Sequence, residues 1–211
     1  MHSLLFVFAL SLVLQPAPAH AMSQLGFRGG MNIGFRKADP EFEGDSRSKV
    51  GGIIGAVVQG ALNDNNTVFI RGDVTYTERG WYDDAYFNDD VVETSLTFHE
   101  IAFGPTIVVR SQNKRFSPFA EAGIEAAAVV RKRAVAEYQV MQLESDVPQY
   151  SDNNISLNLG AGLILPAKNN EVQAVLRYSL GLKNVLDTDS DLTVKTTGIQ
   201  LLIGYYFTLK R

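Results

Sequence analysis

The stretch Ile155–Lys183 limits what this chain can fold into more than any other. Ile155, Leu157, Leu159, Ala161, Leu163 and Leu165 share one parity, against Asn154, Ser156, Asn158, Gly160 and Gly162 on the other. After a polar break at Ala167, Lys168, Asn169 and Asn170 the rule resumes. Val172, Ala174, Leu176, Tyr178, Leu180 and Leu182 then alternate with Glu171, Gln173, Arg177, Ser179, Gly181 and Lys183. A period of two sustained over about twelve residues is a strand pattern, and the intervening turn makes the pair a hairpin. Strands in soluble sheets average about five or six residues, whereas a strand crossing a bilayer needs about nine to eleven, tilted. The hairpin therefore predicts a membrane β-barrel, apolar outside and polar inside.

Composition is compatible with that reading. A chain of 211 residues suggests one domain. Its hydrophobic share of 45% and mean hydropathy of -0.02 hide a greasy face averaged with a wet one. A net charge of -4 without a basic stripe argues against nucleic-acid binding. The absence of cysteine removes disulfides, thiolate metal sites and cysteine nucleophiles together. At the N-terminus, Leu4–Leu14 has the length of a signal-peptide core, and Ala19-His20-Ala21 forms a small-x-small cleavage site. Residues 1–21 are thus expected to be a signal peptide and residues 22–211 an outer-membrane β-barrel domain. No later run approaches the roughly eighteen apolar residues of a spanning helix, so membrane integration would require a barrel.

Along the chain, eight strands are expected. Leu25–Arg36 sets Leu25, Phe27, Met31, Ile33 and Phe35 against Gly26, Arg28, Gly30, Asn32, Gly34 and Arg36. Lys49–Leu62 is Gly-rich and apolar on both faces. Thr67–Thr77 opposes Val68, Ile70, Val74 and Tyr76 to Arg71, Asp73, Thr75 and Thr77. Thr94–Arg110 carries Leu96 and Phe98 on one parity and Ile101, Phe103, Ile107 and Val109 on the other, which predicts a bulge near His99-Glu100. Phe116–Val130 opposes Ala122, Ile124, Ala126, Ala128 and Val130 to Glu121, Gly123 and Glu125. The Ile155–Lys183 hairpin and Val194–Leu209 complete the set. Connections alternate long and short, with long loops at 37–47, 80–93, 131–153 and 184–193. Bacterial membrane barrels have even strand numbers, short periplasmic turns and long outer loops. The expected fold is all-β, an eight-stranded antiparallel up-and-down transmembrane barrel with both termini in the periplasm.

An eight-stranded lumen is just wide enough to be filled by side chains. The expected lumen residues are Arg28, Arg36, Arg71, Asp73, Glu121, Glu125 and Arg177, and buried charges persist only when paired, so a polar network is expected there. Gly30, Gly34, Gly160, Gly162 and Gly181 would make room for the arginines. Interfacial aromatic girdles are expected from Phe27, Phe116, Phe119, Tyr205 and Phe207 at one end and Phe35, Tyr76, Trp81 and Tyr82 at the other.

Asp39, Glu41, Glu43, Asp45, Asp83, Asp84, Asp89, Asp90, Asp187, Asp189 and Asp191 make the long loops acidic. The Asp187–Asp191 spacing resembles a calcium loop, but Leu192 stands where a glycine is needed and no Glu closes it, so a solvated loop is the better reading. Bridging of these loops to anionic lipid headgroups by divalent cations is a weaker one. Catalysis, as in a lipid-modifying barrel enzyme, has little support. After cleavage His99 is the only histidine, and a hydrolytic site would need a nucleophile and an acid around it. Glu100 would face the opposite way along a regular strand unless the bulge joined the two, and Ser95 shares the parity of His99 only if the bulge lies later. No catalytic residue, metal site or cofactor is expected. The partners expected are outer-membrane lipid and a surface polymer or secretion component. The rival from another class is a soluble periplasmic lipocalin-like barrel, which would place Leu157, Leu159, Leu176 and Leu180 inside and Arg28, Arg71 and Arg177 in water.

Several of these segments, LGFRGGMNIGF at Leu25–Phe35, FHEIAFGPTIVV, FSPFAEAGIEAA, ISLNLGAGLIL and GIQLLIGYYF, together resemble the PorT-like outer-membrane β-barrel family of Bacteroidota and relatives. The resemblance covers nearly the whole mature chain. It implies an eight-stranded barrel in the outer membrane of a Gram-negative cell and a family in which some members are linked to protein secretion and gliding. It carries no catalytic residues.

Overall fold

The computed structural model describes residues 23–39, 46–87, 90–112, 116–138, 141–145, 150–186 and 193–209. These form nine strands: β1 (Ser23–Asp39), β2 (Ser46–Ala61), β3 (Val68–Phe87), β4 (Asp90–Arg110), β5 (Ser117–Tyr138), β6 (Met141–Ser145), β7 (Asn153–Ala167), β8 (Asn170–Gly181) and β9 (Thr193–Leu209). All pairings are antiparallel. Eight strands close a ring in the order β1-β2-β3-β4-β5-β7-β8-β9, with β9 returning to β1 through the register Ser23↔Leu209 to Asp39↔Thr193. Closure leaves no unpaired edge in the wall, the condition for a sheet to sit in lipid. Among the described residues no helix is long and apolar enough to cross a membrane.

The alternation read from the sequence orients this wall. Phe27, Ile54, Leu176 and Ile203 are 58% exposed or more on the outside, and Arg28, Arg71 and Arg177 are buried. Leu159 is likewise exposed, and Leu157 and Leu180 lie on the same outer parity, so the inverted faces of a soluble carrier are not present. The connections at 62–67 and 168–169 and the hydrogen bond from Ser111 to Pro118 that brings β4 to β5 gather at the end where Ser23 pairs with Leu209. Asn66 and Lys168 adopt left-handed φ values of 50° and 59° in those two connections. Asn tolerates that conformation through its short polar side chain, whereas lysine adopts it against a steric penalty.

Three expectations change. The segments 80–93 and 131–153 are largely strand. β3 and β4 pair up to Phe87↔Asp90, and β5 runs on to Tyr138, where β6 folds back along it as Tyr138↔Met141 to Ala134↔Ser145. β3, β4 and β5 span 20, 21 and 22 residues while β8 has 12, so one side of the barrel rises well beyond the other. Second, β4 does not change phase. Its register with β3 is unbroken from Val109 to Asp90, and Leu96 and Phe98 point inward like Glu100 and Ala102. The irregularity falls at His99/Glu100 in the β4–β5 ladder, where His99 pairs with Arg131 and Glu100 with Val129, so the extra residue is Val130 on β5. A second irregularity separates Ser48 from Ile53 on β2 and turns Lys49 toward the outer face of β3 and β4. Third, Trp81 and Phe119 are 1% and 4% exposed and face the interior, so neither belongs to a girdle. Phe27, Phe116, Tyr76, Tyr205 and Phe207 do project outward.

Candidate functional site: a layered lumen under a raised rim

Inward-facing side chains stack in four layers. Nearest the turns, Phe69, Val108, Phe119 and Ile164 form an apolar plug that continues along the wall through Val175 and Leu202 to Ile53. Nearest the loops, Trp81, Leu96, Phe98, Val185 and Val194 form a second one. Tyr150 closes it, meeting the Trp81 and Phe98 rings edge-on at 6.1 and 5.2 Å. Burial pushes the Tyr150 phenol above its ordinary range, and the Asp83 carboxylate adds to the rise.

Between these plugs lie two charged layers. In the lower one, Glu121 is the hub. One of its carboxylate oxygens accepts from Arg71 Nη1 at 2.6 Å, and the other accepts from Arg177 Nε at 2.7 Å. Arg71 Nε donates to Gln59 at 3.0 Å and Nη2 to Gln173 at 2.7 Å, so each of its three nitrogens has a partner. Asp73 lies 2.9 Å from Arg28 and 3.7 Å from Arg177. Three guanidinium groups thus meet two carboxylates. Arg28 Nε and Nη1 and Asp73 Oδ1 have no protein partner, which leaves the layer incomplete on that side. In the upper layer one guanidinium meets two carboxylates. Arg79 Nη2 donates to Glu125 at 2.6 Å and Nη1 to Ser179 at 3.0 Å. Arg79 Nε is 2.9 Å from Glu100 Oε2, but the N–H is not aimed at that oxygen, so this contact is Coulombic without being a directed hydrogen bond. Asn154 donates to Thr196 at 2.8 Å on the same level.

Of the seven lumen residues read from the sequence, Arg28, Arg71, Asp73, Glu121 and Arg177 are brought together, and Glu125 sits one layer higher. Arg36 is not part of either layer. It pairs with Asp83 at 3.1 Å near the loop end, where Asp83 also accepts from Trp81 Nε1 at 2.8 Å. Sequence reasoning missed Arg79 and Glu100. Both have the inward parity of their strands; treating 80–93 as loop and placing a bulge at His99-Glu100 concealed them. At Gly30, Gly34, Gly160, Gly162 and Gly181 the space a side chain would take is bounded by backbone and by non-arginine side chains. A Cβ on Gly162 would come within 2.6 Å of the Phe119 ring, and one on Gly160 within 3.0 Å of Glu121 Cγ.

His99 and Glu100 lie on opposite sides of the wall. His99 Nδ1 is 2.6 Å from the Tyr76 hydroxyl on the outside, and Ser95 Oγ accepts from Lys49 Nζ at 2.9 Å. The three do not converge on a reacting atom. Two of the acidic loop residues have basic partners, Asp83 with Arg36 and Asp84 with Arg47 at 3.0 Å. Glu41, Glu43, Asp45, Asp89 and Asp187–Asp191 fall outside the described residues. Among the described residues no group of His, Asp and Glu could hold a metal ion.

A closed ring of membrane-length strands with lipid-compatible outer faces and a side-chain-filled interior defines an integral β-barrel of the outer-membrane type. The model of the outer membrane protein beta-barrel domain matches residues 15–187, and the chain belongs to that family. It is an outer-membrane protein of the Gram-negative envelope. No curated protein matches it in sequence. Several solved structures resemble it at low identity. Neisserial surface protein A is 13% identical with a TM-score of 0.49, over 88% of this chain and 97% of that one. OprG of Pseudomonas aeruginosa is 10% identical with a TM-score of 0.48, over 92% and 100%. Ail of Yersinia pestis, crystallised with a heparin analogue, is 18% identical with a TM-score of 0.40, over 88% and 99%.

Proposed function

We propose that this protein is a non-catalytic outer-membrane barrel whose role, structural or binding, is exerted by what it raises above the membrane. The observation that carries this reading is the unequal height of the wall. β3, β4, β5 and β6 pair on as a continuous sheet past the level where the β8 strand ends at Gly181. A spanning strand needs about nine to eleven residues, so the additional length of β3, β4 and β5 is available outside the bilayer. Beneath it the lumen is occupied by two plugs and two ion-pair layers, an interior built for shape. With the Ser23–Leu209 pair and the tight turns on the periplasmic side, the raised sheet faces outward. The signal peptide at residues 1–21 belongs to this proposal.

The partner classes are a surface polymer or a secretion component, the latter supported by the resemblance to PorT-like barrels. The test is capture from intact, crosslinked cells by the wild type and by a variant whose β3–β4 hairpin is shortened to reconnect Asp83 to Thr94. Loss of a specific crosslinked partner in a variant that still shows heat-shifted gel migration is the expected result. A partner retained at wild-type level by the shortened barrel would remove the raised sheet from the reading.

A further inference from the structure

Among the described residues, a facing pair of cations on the outer wall is left without a partner. Lys37 and Lys195 are directly opposite across the β1–β9 ladder, whose register is unbroken from Ser23↔Leu209 to Asp39↔Thr193. Both carry the parity of Phe27, Ile199 and Ile203, so they face outward. Lys37 is exposed and Lys195 half-buried. Like charges directly opposite in a sheet destabilise it. Elsewhere the barrel answers its cations. Arg36, next to Lys37, turns the other way to Asp83, and Arg47 is engaged by Asp84 and Glu93. Lys49, Lys132 and Lys183 each donate to an oxygen of the chain. Among the described residues, Lys37 and Lys195 make no hydrogen bond or ion pair.

Depth decides which anion can answer them. At the turn end of the same two strands, Phe27 is paired with Tyr205, and both rings are exposed. Lys37 and Lys195 lie ten residues further along. Ten residues of antiparallel strand extend about 34 Å, which a tilt of about 40° turns into a height of about 26 Å. Met31, Ile199 and Leu201 fill the interval with exposed apolar surface. The apolar band of an outer-membrane barrel is about 25 Å tall. The two lysines therefore stand one hydrocarbon thickness from the Phe27–Tyr205 pair, level with the headgroups of the leaflet on the loop side. Directly opposite residues have Cα atoms about 4.5–5.5 Å apart, so two ammonium groups on flexible stems can converge on one anion. Phosphate suits them, since it offers several acceptor oxygens and lysine binds it as a point charge.

We infer that Lys37 and Lys195 together clasp a phosphate of a phosphorylated glycolipid in the outer leaflet. The inference rests on the outward orientation of the loop end proposed above. Labelling of the loops on intact cells reads that orientation by itself. Loops labelled only after permeabilisation would overturn both the orientation and the glycolipid, whereas the binding test in detergent fails or succeeds independently of it.

The folded barrel, purified in mild detergent, is incubated with phosphorylated lipid A or its dephosphorylated counterpart, and retained lipid is counted by native mass spectrometry. A basic residue beside an anionic surface changes binding about fivefold, so K37Q/K195Q is expected to lose retention by about fivefold per lysine while K37R/K195R keeps most of it. K168Q removes a cation from a turn at the opposite end and is expected to retain lipid like wild type. An equal loss in K168Q would reduce the effect to net charge and overturn the site. Heat-shifted migration checks that each variant is folded. Should K37Q/K195Q fail to fold, a salt titration of the wild type decides instead: retention that falls with ionic strength supports the site, and retention indifferent to salt overturns it. Equal retention by folded wild type and K37Q/K195Q, or equal retention of dephosphorylated lipid, also overturns it. Displacement of lipid A by inorganic phosphate at the same concentration would show an ion site only and overturn the lipid assignment.

Discussion

The lumen and the outer wall are made of the same strands, yet they answer to opposite solvents. On β8, Arg177 and Leu176 are neighbours. Arg177 is 1% exposed with Glu121 and Asp73 around it, while Leu176 is 58% exposed. The lumen tolerates charge because partners arrive from other strands. The wall tolerates apolar exposure because its solvent is hydrocarbon. Stability therefore depends on pairing inside and on the absence of anything to pair outside. At the rim, where water returns, neither condition should apply.

The strongest way to break the contrast is to remove the hub of the lower charged layer. Glu121→Ala leaves Arg71 and Arg177 buried without their shared carboxylate, and breaking a buried pair costs about 3–5 kcal/mol. Urea unfolding of the barrel refolded into phospholipid vesicles should show a destabilisation of that order. A midpoint equal to wild type would mean the arginines do not need this partner. On the outer wall, Leu176→Arg puts a charge on the lipid face, where the cost is about 2–4 kcal/mol at midplane and falls toward the interfaces. The same unfolding assay should place it just below Glu121→Ala, and a null effect would contradict lipid exposure of that position.

At the rim the contrast should vanish. Arg47 is engaged by Asp84 and Glu93 in water, and exposed pairs contribute little. Arg47→Ala should leave the unfolding midpoint unchanged, and a shift comparable to that of Leu176→Arg would show that the rim is not solvated. A local effect, read by titration and not by unfolding, is an acid transition at the base of the 150–152 segment. A hydrogen bond from Lys132 Nζ holds the Asp152 carboxyl below the usual aspartate range, with the lysine charge adding to it. A depressed folded-state pKa means the contact contributes above the ordinary aspartate pKa and is lost as pH falls through the lowered one. NMR titration of the Asp152 side chain should find its midpoint below that of an ordinary aspartate, and Lys132→Gln should raise it. An ordinary midpoint in both proteins would remove the contact.

Facing was legible wherever a strand kept its alternation, because successive side chains on an extended backbone must point to opposite sides. That local rule orients Leu159, Leu176 and Ile203 outward and Arg28, Arg71 and Glu121 inward. It misled at Leu96 and Phe98, which keep the inward parity of β4 but are apolar, and so suggested a slip that the β3–β4 register does not contain. Trp81 was misplaced for a related reason. A run of acids and aromatics at 80–93 has the composition of a loop, yet long-range pairing with β4 holds it as strand.

What the sequence determined by itself is the two-sidedness of the wall and, through it, a closed sheet in a membrane. Each residue's face depends only on its parity within its own strand. What only the tertiary structure decided is which charge meets which, where the apolar plugs sit and how high each strand rises. Arg71 reaches Gln173 and Arg79 reaches Ser179 across about a hundred residues of chain. Those meetings depend on the stagger accumulated around the ring, to which every register and both irregularities contribute, and no local pattern encodes that sum.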